Sequence, residues 1–438
     1  MKKSKLKVLI VAYYWPPAGG SGVQRWLKFV KYLRDFDIEP VVYTVKDPSY
    51  NQEDDTLLKD IPDGIEVIRQ PIFEPNNFLS KFKSKKKSKS SGFQNPNPSF
   101  VGKILQYIRI NYFVPDARKF WIKPSVKYLK SYLSENDIDL VITSGPPHSL
   151  HLIGLQLKRK ININWIADFR DPWTDIYYNS SFKMSASTMK KHQQLETAVL
   201  NESDGVITTN ATLNDLFSKR TKTNVKLITN GYDDEALENE EATLNDGFTL
   251  DYIGYLPQES NPYSLWKVLQ ELCKEDKEFK TDLKVNITGD INNAVVKGIK
   301  DYDLSSFTNI QGYVSHDDAI RMQKSAQVLL ILVAKSDESR QITPGKIFEC
   351  LQAKRPILAI GPTDGGAAEI LQHTNAGKIF DYDDVVSIKN HLKELYQQYK
   401  QEKLVVNSIN VDLYHRRELT RKLANLINET LNNNNKSE

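Results

Sequence analysis

Residues 343–349 combine a predicted helix start with a cation and a carboxylate. Thr343 and Pro344 are residue types favoured at the cap and first turn of a helix, so the sequence predicts a helix N-terminus whose unpaired backbone N–H groups lie beside Lys346. Glu349 follows three residues later and is predicted on the same helix face. This set suits a pyrophosphate held by the helix terminus and Lys346, with Glu349 accepting hydrogen bonds from sugar hydroxyls. The alternative is a capped helix in which Lys346 and Glu349 form an ordinary ion pair.

A glycine-rich loop follows the first apolar run of the chain. Residues 15–22 read Trp-Pro-Pro-Ala-Gly-Gly-Ser-Gly, and a helical pattern begins after Gly22. Because Gly19 and Gly20 have no side chains, the backbone can approach a ligand closely, and the N–H groups of the following helix can face it. The loop is neither a Gly-x-Gly-x-x-Gly dinucleotide fingerprint nor a nucleoside-triphosphate loop, which would end in Lys-Ser or Lys-Thr. A plain strand-to-helix turn is the alternative.

A second loop brings two histidines to the end of a predicted strand. Residues 144–151 read Ser-Gly-Pro-Pro-His-Ser-Leu-His. Histidine can act as an acid, a base or a hydrogen-bond donor to a hydroxyl group. We expect His151 to be packed within a helix, which leaves His148 as the candidate for direct contact with a ligand, against the alternative that it too is structural.

A third loop places charged residues directly after a predicted buried strand. Asp168, Arg170 and Asp171 lie within the segment Ala-Asp-Phe-Arg-Asp-Pro-Trp of residues 167–173. Charges at this density are costly beside a buried strand unless they pair with one another or take part in function. The loop is therefore a candidate catalytic element, and the alternative is an Asp–Arg–Asp network that only shapes the loop.

The composition is that of an ordinary water-soluble globular chain. The 438 residues are 40% hydrophobic and 26% charged, which is enough for about two or three domains. A net charge of +4 is too small for this length to indicate a nucleic-acid-binding protein. Cys273 and Cys350 lie far apart without metal-ligand spacing, which argues against a disulfide-built secreted domain and a structural zinc site. The first apolar run is too short to span a membrane, so we expect a cytoplasmic protein.

Short β-branched runs alternate with longer helical patterns along the whole chain. Such runs are typical of the buried strands of parallel sheets. The alternation starts afresh after residue 230, which predicts an α/β fold of two doubly wound, Rossmann-like domains. The predicted strands are Val8–Tyr13, Val41–Thr44, Glu66–Ile68, Leu140–Thr143, Trp165–Ala167, Val206–Thr208, Val225–Ile228, Thr249–Ile253, Lys284–Thr288, Val328–Val333 and Ile357–Ile360.

The domain boundary is predicted at the Asn-Gly turn within residues 228–233. We expect an N-terminal domain of residues 1–230 with a flexible basic insertion near 80–99, a C-terminal domain of residues 231–430, and a disordered tail at 431–438. Open parallel sheets bind ligands at the carboxyl ends of their strands. All the candidate loops are predicted to lie at such ends.

A basic segment precedes an amphipathic one in the first domain. Residues 81–89 hold six lysines and no acid. Residues 100–113 then have a helical pattern with one apolar face, formed by Phe100, Val101, Ile104, Leu105, Ile108 and Tyr112. This pattern is typical of an element that binds an anionic membrane surface reversibly. The alternative is that the apolar face packs onto the N-terminal sheet and the lysines form a solvated loop.

Several motifs, taken in order, resemble a bacterial glycosyltransferase of family four with the GT-B fold. They are Pro16–Gly20, Ser144–Pro147, Asp168–Trp173, Thr229–Asp233, Gly345–Pro356 and Ala368–Ile370. The resemblance spans nearly the whole chain. It implies two domains facing across a cleft, a C-terminal domain that binds a nucleotide-diphosphate sugar, and an N-terminal domain that binds the acceptor. It also implies transfer with retention of anomeric configuration, without a metal and without a further cofactor.

The chain departs from the pattern of that family at three places. Gln341 stands where the family usually has a Glu, eight positions before Glu349. Residues 254–261 contain none of the basic residues that commonly follow the first strand of the C-terminal domain. The cation for the phosphates would then be Lys346, Arg340 or Lys335. Arg170 stands where many relatives have a His.

The resemblance implies transfer of a hexose or a related sugar to a hydroxyl of a glycan or lipid-linked glycan. The donor-binding candidates are Gly19, Gly20, Arg340, Thr343, Gly345, Lys346 and Glu349, and the catalytic candidates are Asp171, Arg170 and His148. The expected partners are a nucleotide sugar, the acceptor and an anionic membrane surface at the inner face of the cell membrane. A non-catalytic GT-B subunit that binds nucleotide sugars and a nucleotide-sugar epimerase are the alternatives. An NAD enzyme is disfavoured because the dinucleotide fingerprint is missing.

Overall fold

The chain forms two compact units. The structure is a computed structural model that describes residues 5–19, 21–48, 50, 53–73, 100–175, 184–233, 243–337 and 339–434. The first unit comprises Met1–Thr229 together with Arg416–Glu438, and the second comprises Asn230–His415. The predicted basic insertion near 80–99 lies outside the described residues.

The first unit is built on a parallel sheet of seven strands in the order β3-β2-β1-β4-β5-β6-β7. The order reverses between β1 and β4, as in a doubly wound fold. Strands β4, β5 and β6 are buried along their whole length, which is why they have apolar, β-branched sequences. The strands are β1 Leu6–Val11, β2 Ile38–Lys46, β3 Glu66–Pro71, β4 Leu140–Gly145, β5 Trp165–Phe169, β6 Gly205–Thr208 and β7 Val225–Leu227.

Helices connect these parallel strands. They are α1 Ser21–Leu33, α2 Phe100–Tyr112, α3 Lys119–Glu135, α4 Ser149–Ile161, α5 Ala186–Glu202 and α6 Ala211–Ser218. Helix α1 buries Val23, Trp26, Leu27 and Val30 against the sheet, together with Val8 and Ile10 of β1. None of the helices in the described ranges is both long and apolar enough to cross a membrane.

The second unit repeats this architecture with six parallel strands in the order β10-β9-β8-β11-β12-β13. The strands are β8 Phe248–Ile253, β9 Leu283–Thr288, β10 Thr308–Gln311, β11 Val328–Leu332, β12 Ile357–Ile360 and β13 Gly377–Phe380. The helices are α7 Tyr263–Glu275, α8 Lys277–Asp282, α9 Asn293–Asp301, α10 His316–Ser325, α11 Lys346–Gln352, α12 Gly366–Thr374 and α13 Val385–Lys400.

The predicted fold class, two doubly wound α/β domains, is confirmed.

The last helix, α14 (Arg416–Asn434), belongs to the first unit. Leu419 and Leu423 are fully buried in the same apolar cluster as Trp26 of α1. The predicted C-terminal domain of residues 231–430 therefore extends too far, since the second unit ends at His415. The apolar face of α14 packs in the first unit, against α1 and the seven-stranded sheet. The predicted disordered tail is also wrong for residues 431–434, which continue α14.

Candidate functional site

Two glycines and Lys346 meet at the carboxyl edge of the second sheet. Gly254 follows β8 and Gly289 follows β9, with φ angles of +127° and +122° that strongly favour glycine. A Cβ on Gly289 would lie 2.5 Å from the carbonyl oxygen of Gly254, and a Cβ on Gly254 would lie 2.9 Å from Lys346 Nζ. Because glycine has no Cβ, the ends of β8 and β9 and the side chain of Lys346 can pack closely together. They do so at the carboxyl edge of the sheet, where parallel sheets bind ligands.

Lys346 has no carboxylate partner among the residues that the structure describes. Its Nζ is buried and makes no hydrogen bond to the described residues. It lies 3.7 Å from the centroid of the Tyr252 ring. Burial lowers the pKa of Lys346 to about 8, with smaller opposing effects from Cys350 and Glu349. A buried, uncompensated ammonium group is costly, and an anionic ligand would compensate it.

Glu349 lies on the same short helix but does not pair with Lys346. Its Oε2 accepts a hydrogen bond of 3.3 Å from Nε2 of Gln323, a residue of α10. No ion pair joins Lys346 and Glu349 in the part of the chain that the structure describes. The alternative of an internal ion pair is therefore wrong, and each side chain is held by a different element.

Thr343 does not cap the helix that follows it. The helix α11 begins at Lys346, two residues later than a Thr343 cap would require, and its cap position is occupied by Gly345 without a side-chain hydrogen bond. Thr343 Oγ1 is buried without a hydrogen-bond partner among the described residues. Gly345 is exposed, with no heavy atom within 4 Å of the place of a Cβ. The predicted capped helix start is corrected accordingly.

The other two candidate cations are paired on the surface of the second unit. Arg340 Nε lies 2.8 Å from Asp364 Oδ1, and both side chains are largely exposed. Lys335 Nζ lies 3.1 Å from Asp383 Oδ2, also in solvent. Of the three cations predicted for the phosphates, Lys346 alone is buried without a carboxylate partner in the described residues.

The glycine-rich loop of the first unit runs from β1 to α1. The amide of Ala18 donates to the Trp15 carbonyl oxygen at 3.0 Å, and the amide of Asp54 donates to the Pro17 carbonyl oxygen at 2.7 Å. Gly19 follows this turn, while Gly20 lies outside the described residues. The helix α1 follows the loop as predicted, but it begins at Ser21, two residues before the expected start after Gly22.

Arg170 connects three loops at the carboxyl edge of the first sheet. It donates from Nη1 to the Gly22 carbonyl oxygen at 3.0 Å and from Nη2 to the carbonyl oxygen of Pro146. Its guanidinium carbon lies 5.6 Å from the centroid of the Tyr14 ring. Arg170 therefore fixes the loops after β1, β4 and β5 relative to one another. The neighbouring Asp171 is exposed to solvent.

Asp168 belongs to a buried network inside the first unit. Its carboxylate accepts hydrogen bonds from Arg25 Nη2 at 2.8 Å, Trp26 Nε1 at 2.8 Å and Ser144 Oγ at 2.9 Å. Burial opposes its charge, but the Arg25 guanidinium outweighs this effect and holds the pKa of Asp168 below its usual range. The suggested Asp–Arg–Asp network of the loop is therefore wrong in its pairing, because the counter-ion of Asp168 comes from α1.

The two histidines are both buried. The His148 ring stacks on Trp173 at 4.8 Å between centroids and 3° between planes. His151 lies within α4, as predicted, and its Nδ1 is 2.9 Å from Thr143 Oγ1. Burial lowers the pKa of His151 to about 3 and that of His148 well below the usual value, so both rings are neutral at pH 7. His148 is thereby suited to hydrogen bonding, and its lowered pKa makes it a weak base.

Helix α5 holds the loop that contains Asp171. Trp173 Nε1 donates to His192 Nδ1 at 2.9 Å, and the amide of Thr174 donates to Glu196 Oε2 at 2.8 Å. Both acceptors lie on α5 and are buried. The loop after β5 is therefore held both by these hydrogen bonds to α5 and by those of Arg170.

Sequence reasoning missed several residues that support these sites. Arg25 carried a recognisable signal, a charge amid the apolar residues of α1. Tyr252, Gly289 and Gln323 carried none, because each meets Lys346, Gly254 or Glu349 only through the fold. Asp116 was also missed, although its carboxylate accepts hydrogen bonds from the amide of Ser149 at 2.8 Å and from its hydroxyl at 2.7 Å at the start of α4.

No protein-family model matches the chain, and the search of curated proteins found no match. Solved structures do resemble it over nearly its whole length. HepE from Anabaena, in complex with UDP-glucose, is 13% identical with a TM-score of 0.55, covering 99% of this chain and 100% of that chain. WaaG, a glycosyltransferase involved in lipopolysaccharide biosynthesis, is 12% identical with a TM-score of 0.51, covering 97% and 98%.

The neighbours also include a different enzyme class. A protein described as a putative UDP-N-acetylglucosamine 2-epimerase from Listeria monocytogenes is 11% identical with a TM-score of 0.55, covering 98% of this chain and 97% of that chain. At such identities the likeness shows the fold alone. The chain has the two-unit, Rossmann-like architecture of the GT-B fold.

Proposed function

We propose that this protein is a glycosyltransferase of family four, which transfers a sugar from a nucleotide-diphosphate sugar to a hydroxyl group of a glycan or lipid-linked acceptor. The observation that carries the proposal is the buried Lys346 ammonium group beside Gly254, which a diphosphate would compensate. The motif resemblance supports it, as do fold neighbours such as HepE, whose structure contains UDP-glucose. We further propose a cytoplasmic enzyme whose acceptor lies at the inner face of the cell membrane.

In this proposal Lys346 stabilises the charge that develops on the leaving diphosphate. The bond from the anomeric carbon to the phosphate oxygen breaks, and the nucleotide leaves with its electron pair. A preorganised cation in a site without bulk water stabilises such charge by several kcal/mol. Glu349 would accept hydrogen bonds from hydroxyls of the donor sugar or ribose. We propose that the transfer retains the anomeric configuration and uses no metal ion.

The acceptor would meet the loops of the first unit. Its hydroxyl oxygen forms the new bond to the anomeric carbon, and its proton passes to a base. We propose Asp171, which is exposed, as this base. His148, whose pKa burial lowers, would contact the acceptor through a hydrogen bond. Arg170 would act mainly by fixing the loops that carry them.

An epimerase of nucleotide sugars is the second candidate, because epimerases with the same fold are among the structural neighbours. An epimerase converts the donor without an acceptor. Incubation of the protein with a nucleotide-diphosphate sugar alone therefore separates the two reactions: a new epimer in the product would support the epimerase and contradict the transferase.

The first test is binding of nucleoside diphosphates by wild type and by Lys346→Ala. We expect one diphosphate to raise the free energy of unfolding of wild type by about 2.7 kcal/mol at a hundred times its dissociation constant, and to stabilise Lys346→Ala far less. Lys335→Ala is the matched control, because this lysine is exposed and paired with Asp383. Lys346→Ala and Glu349→Ala should each lower turnover by about tenfold or more.

Two outcomes would contradict this proposal. Equal stabilisation and equal transfer in wild type, Lys346→Ala and Glu349→Ala would contradict the assignment of the site. If no diphosphate or its sugar stabilises the wild type, the chain does not use such donors, which favours a non-catalytic role.

A further inference from the structure

Positive charge is concentrated in one segment of the first unit. Residues 75–134 contain thirteen Lys and Arg and a single acid, Asp116, so this segment carries +12 in a chain whose net charge is +4. Asp116 is already engaged at the start of α4. The segment therefore has no carboxylate left to neutralise its lysines from within.

Helix α2 lies in this segment and exposes apolar side chains along one side. Ile104, Tyr107, Ile108 and Tyr112 are 45%, 49%, 40% and 67% exposed. Ile104, Ile108 and Tyr112 follow one another at intervals of four, and Tyr107 lies three positions after Ile104, so the four side chains share one side of the helix. The alternative in which the predicted apolar face packs onto the N-terminal sheet is wrong for Ile104, Ile108 and Tyr112. The side chains of Phe100, Val101 and Leu105 are not among those that the structure describes.

Aromatic residues extend the apolar area from α2 to α3. Phe73 is 59% exposed and Phe120 is 41% exposed, and their ring centroids lie 5.7 Å apart. Phe113 contacts Phe120 at 5.8 Å between centroids. Lys119 Nζ donates to the carbonyl oxygen of Tyr112 at 2.5 Å, which fixes the end of α2 against the start of α3.

Helix α3 continues this area with a row of lysines. Lys123, Lys127 and Lys130 are exposed, while Trp121 and Leu129 on the opposite side are buried in the core. The three lysines are spaced by four and three residues and lie on the solvent side of the helix. None of the three forms an ion pair with an acid in the described ranges.

We infer that this area is a binding surface for anionic lipid bilayers. We call it the α2–α3 surface and define it by Phe73, Ile104, Ile108, Tyr112, Phe120, Lys123, Lys127 and Lys130. Its apolar and aromatic side chains enter the headgroup region, and its lysines face the anionic lipids, the combination found in interfacial elements. Charge complementarity singles out an anionic surface, because the segment carries almost no acids. The inference rests on the proposed function only in that a lipid-linked acceptor would lie in the same membrane.

The test is co-sedimentation of the full chain with vesicles, without donor or acceptor. One set of vesicles contains phosphatidylcholine alone and the other contains equal parts of phosphatidylcholine and phosphatidylglycerol. We expect binding to the second set only, falling with added salt. Replacing Lys123, Lys127 and Lys130 with Gln should lower the partition coefficient roughly a hundredfold, and Ile104→Gln with Ile108→Gln should lower it by about tenfold.

The matched control removes the same charge elsewhere. Lys277, Lys297 and Lys300 are exposed residues of the second unit, and their replacement with Gln should leave vesicle binding unchanged. A separate variant replaces Lys83, Lys85, Lys86, Lys87 and Lys89 with Gln. If only this last variant loses binding, or if all variants bind as wild type does, the α2–α3 surface is not the lipid-binding surface.

Two further outcomes also decide the matter. Equal binding to neutral and anionic vesicles would overturn the role of the lysines. Self-association of the wild type that disappears in the Ile104→Gln and Ile108→Gln variant, without vesicle binding, would show that a second copy covers this face instead. Because no donor or acceptor is present, loss of vesicle binding leaves the proposed transferase activity untouched, and loss of nucleotide binding leaves this inference untouched.

Discussion

The buried ammonium group of Lys346 is unfavourable by itself and would be stabilised by the proposed diphosphate. It lies against the Tyr252 ring and has no carboxylate partner among the described residues. The lowered pKa of about 8 reflects the cost of the charged form in that position. A bound diphosphate would reverse the balance by placing negative charge beside the lysine, which would raise its pKa again.

Nucleotide binding should therefore depend on pH. In the free protein Lys346 loses its proton as the pH rises through about 8, whereas the complex keeps it. We expect the affinity for the preferred nucleoside diphosphate to be constant near pH 7 and to fall above pH 8, approaching tenfold per pH unit. The phosphate of the ligand contributes little, because its last ionisation is nearly complete above pH 7.

Isothermal titration calorimetry between pH 7 and pH 9.5 measures this dependence. The Lys346→Arg variant is the control, because arginine stays charged over the whole range. A wild-type affinity that does not change up to pH 9.5, or one that falls equally in Lys346→Arg, would show that Lys346 is not the group that binds the diphosphate.

For single residues, the sequence predicted which side chains could bind a ligand better than it predicted their contacts. Lys346 and Glu349 could be selected by type and spacing, but their contacts with Tyr252 and Gln323 could not. Those partners come from a distant strand and a distant helix, which local spacing does not reveal. The Thr343 cap failed for another reason, since propensity indicates that a helix starts nearby but not at which residue.

Among the elements, β5 and α1 of the first unit are connected by one buried ion pair. Asp168 of β5 and Arg25 of α1 lie 2.8 Å apart, and both side chains are almost completely buried. Arg25 also donates to the Thr229 carbonyl oxygen at 2.9 Å. Breaking such a pair from one side leaves an uncompensated buried charge, which is more damaging than losing the pair as a whole.

Asp168→Ala should therefore lower the free energy of unfolding by about 3–5 kcal/mol. Asp171→Ala is the matched control, because it removes the same group three residues later at an exposed position, and it should change stability by no more than about 0.5 kcal/mol. Urea unfolding of both variants measures the difference. Similar midpoints for the two variants would show that the Arg25 network contributes little to stability.

In the second sheet, the central strands were predictable and the edge strands were not. The central strand Ile357–Ile360 is a continuous apolar run and was found. The edge strands β10 and β13 were missed, whereas both edge strands of the first sheet, β3 and β7, were predicted. Three of the four residues of β10 are exposed, and β13 contains Gly377 and Lys378, so neither has a continuous apolar run.

At the scale of the whole molecule, the feature that the sequence did not predict is the path of the chain: it leaves the first unit, forms the second and returns to the first. The apolar face of α14 could be predicted from its period, but not which of two similar sheets it covers. It packs with α1, so the first unit is completed only by the last helix of the chain.

A chain truncated after His415 should therefore fail to form a stable first unit. It loses Leu419, Leu423, Leu426 and Ile427, all buried against the sheet and α1, and each would cost about 2–5 kcal/mol even as a truncation to Ala. Limited proteolysis should then cleave the first unit rapidly. A chain ending at Asn434 is the control and should resist like the wild type. Resistance of the shorter chain would show that α14 is dispensable.

The return of α14 also places both ends of the second unit side by side. Tyr232 forms a bridge with His415, and its amide donates to the Tyr414 carbonyl oxygen at 3.1 Å. The second unit is therefore an insertion with adjacent termini, the arrangement that tolerates exchange of a whole domain. Recombination at these two neighbouring points would replace residues 230–415, with the proposed donor site, as one cassette while the first unit keeps its own core.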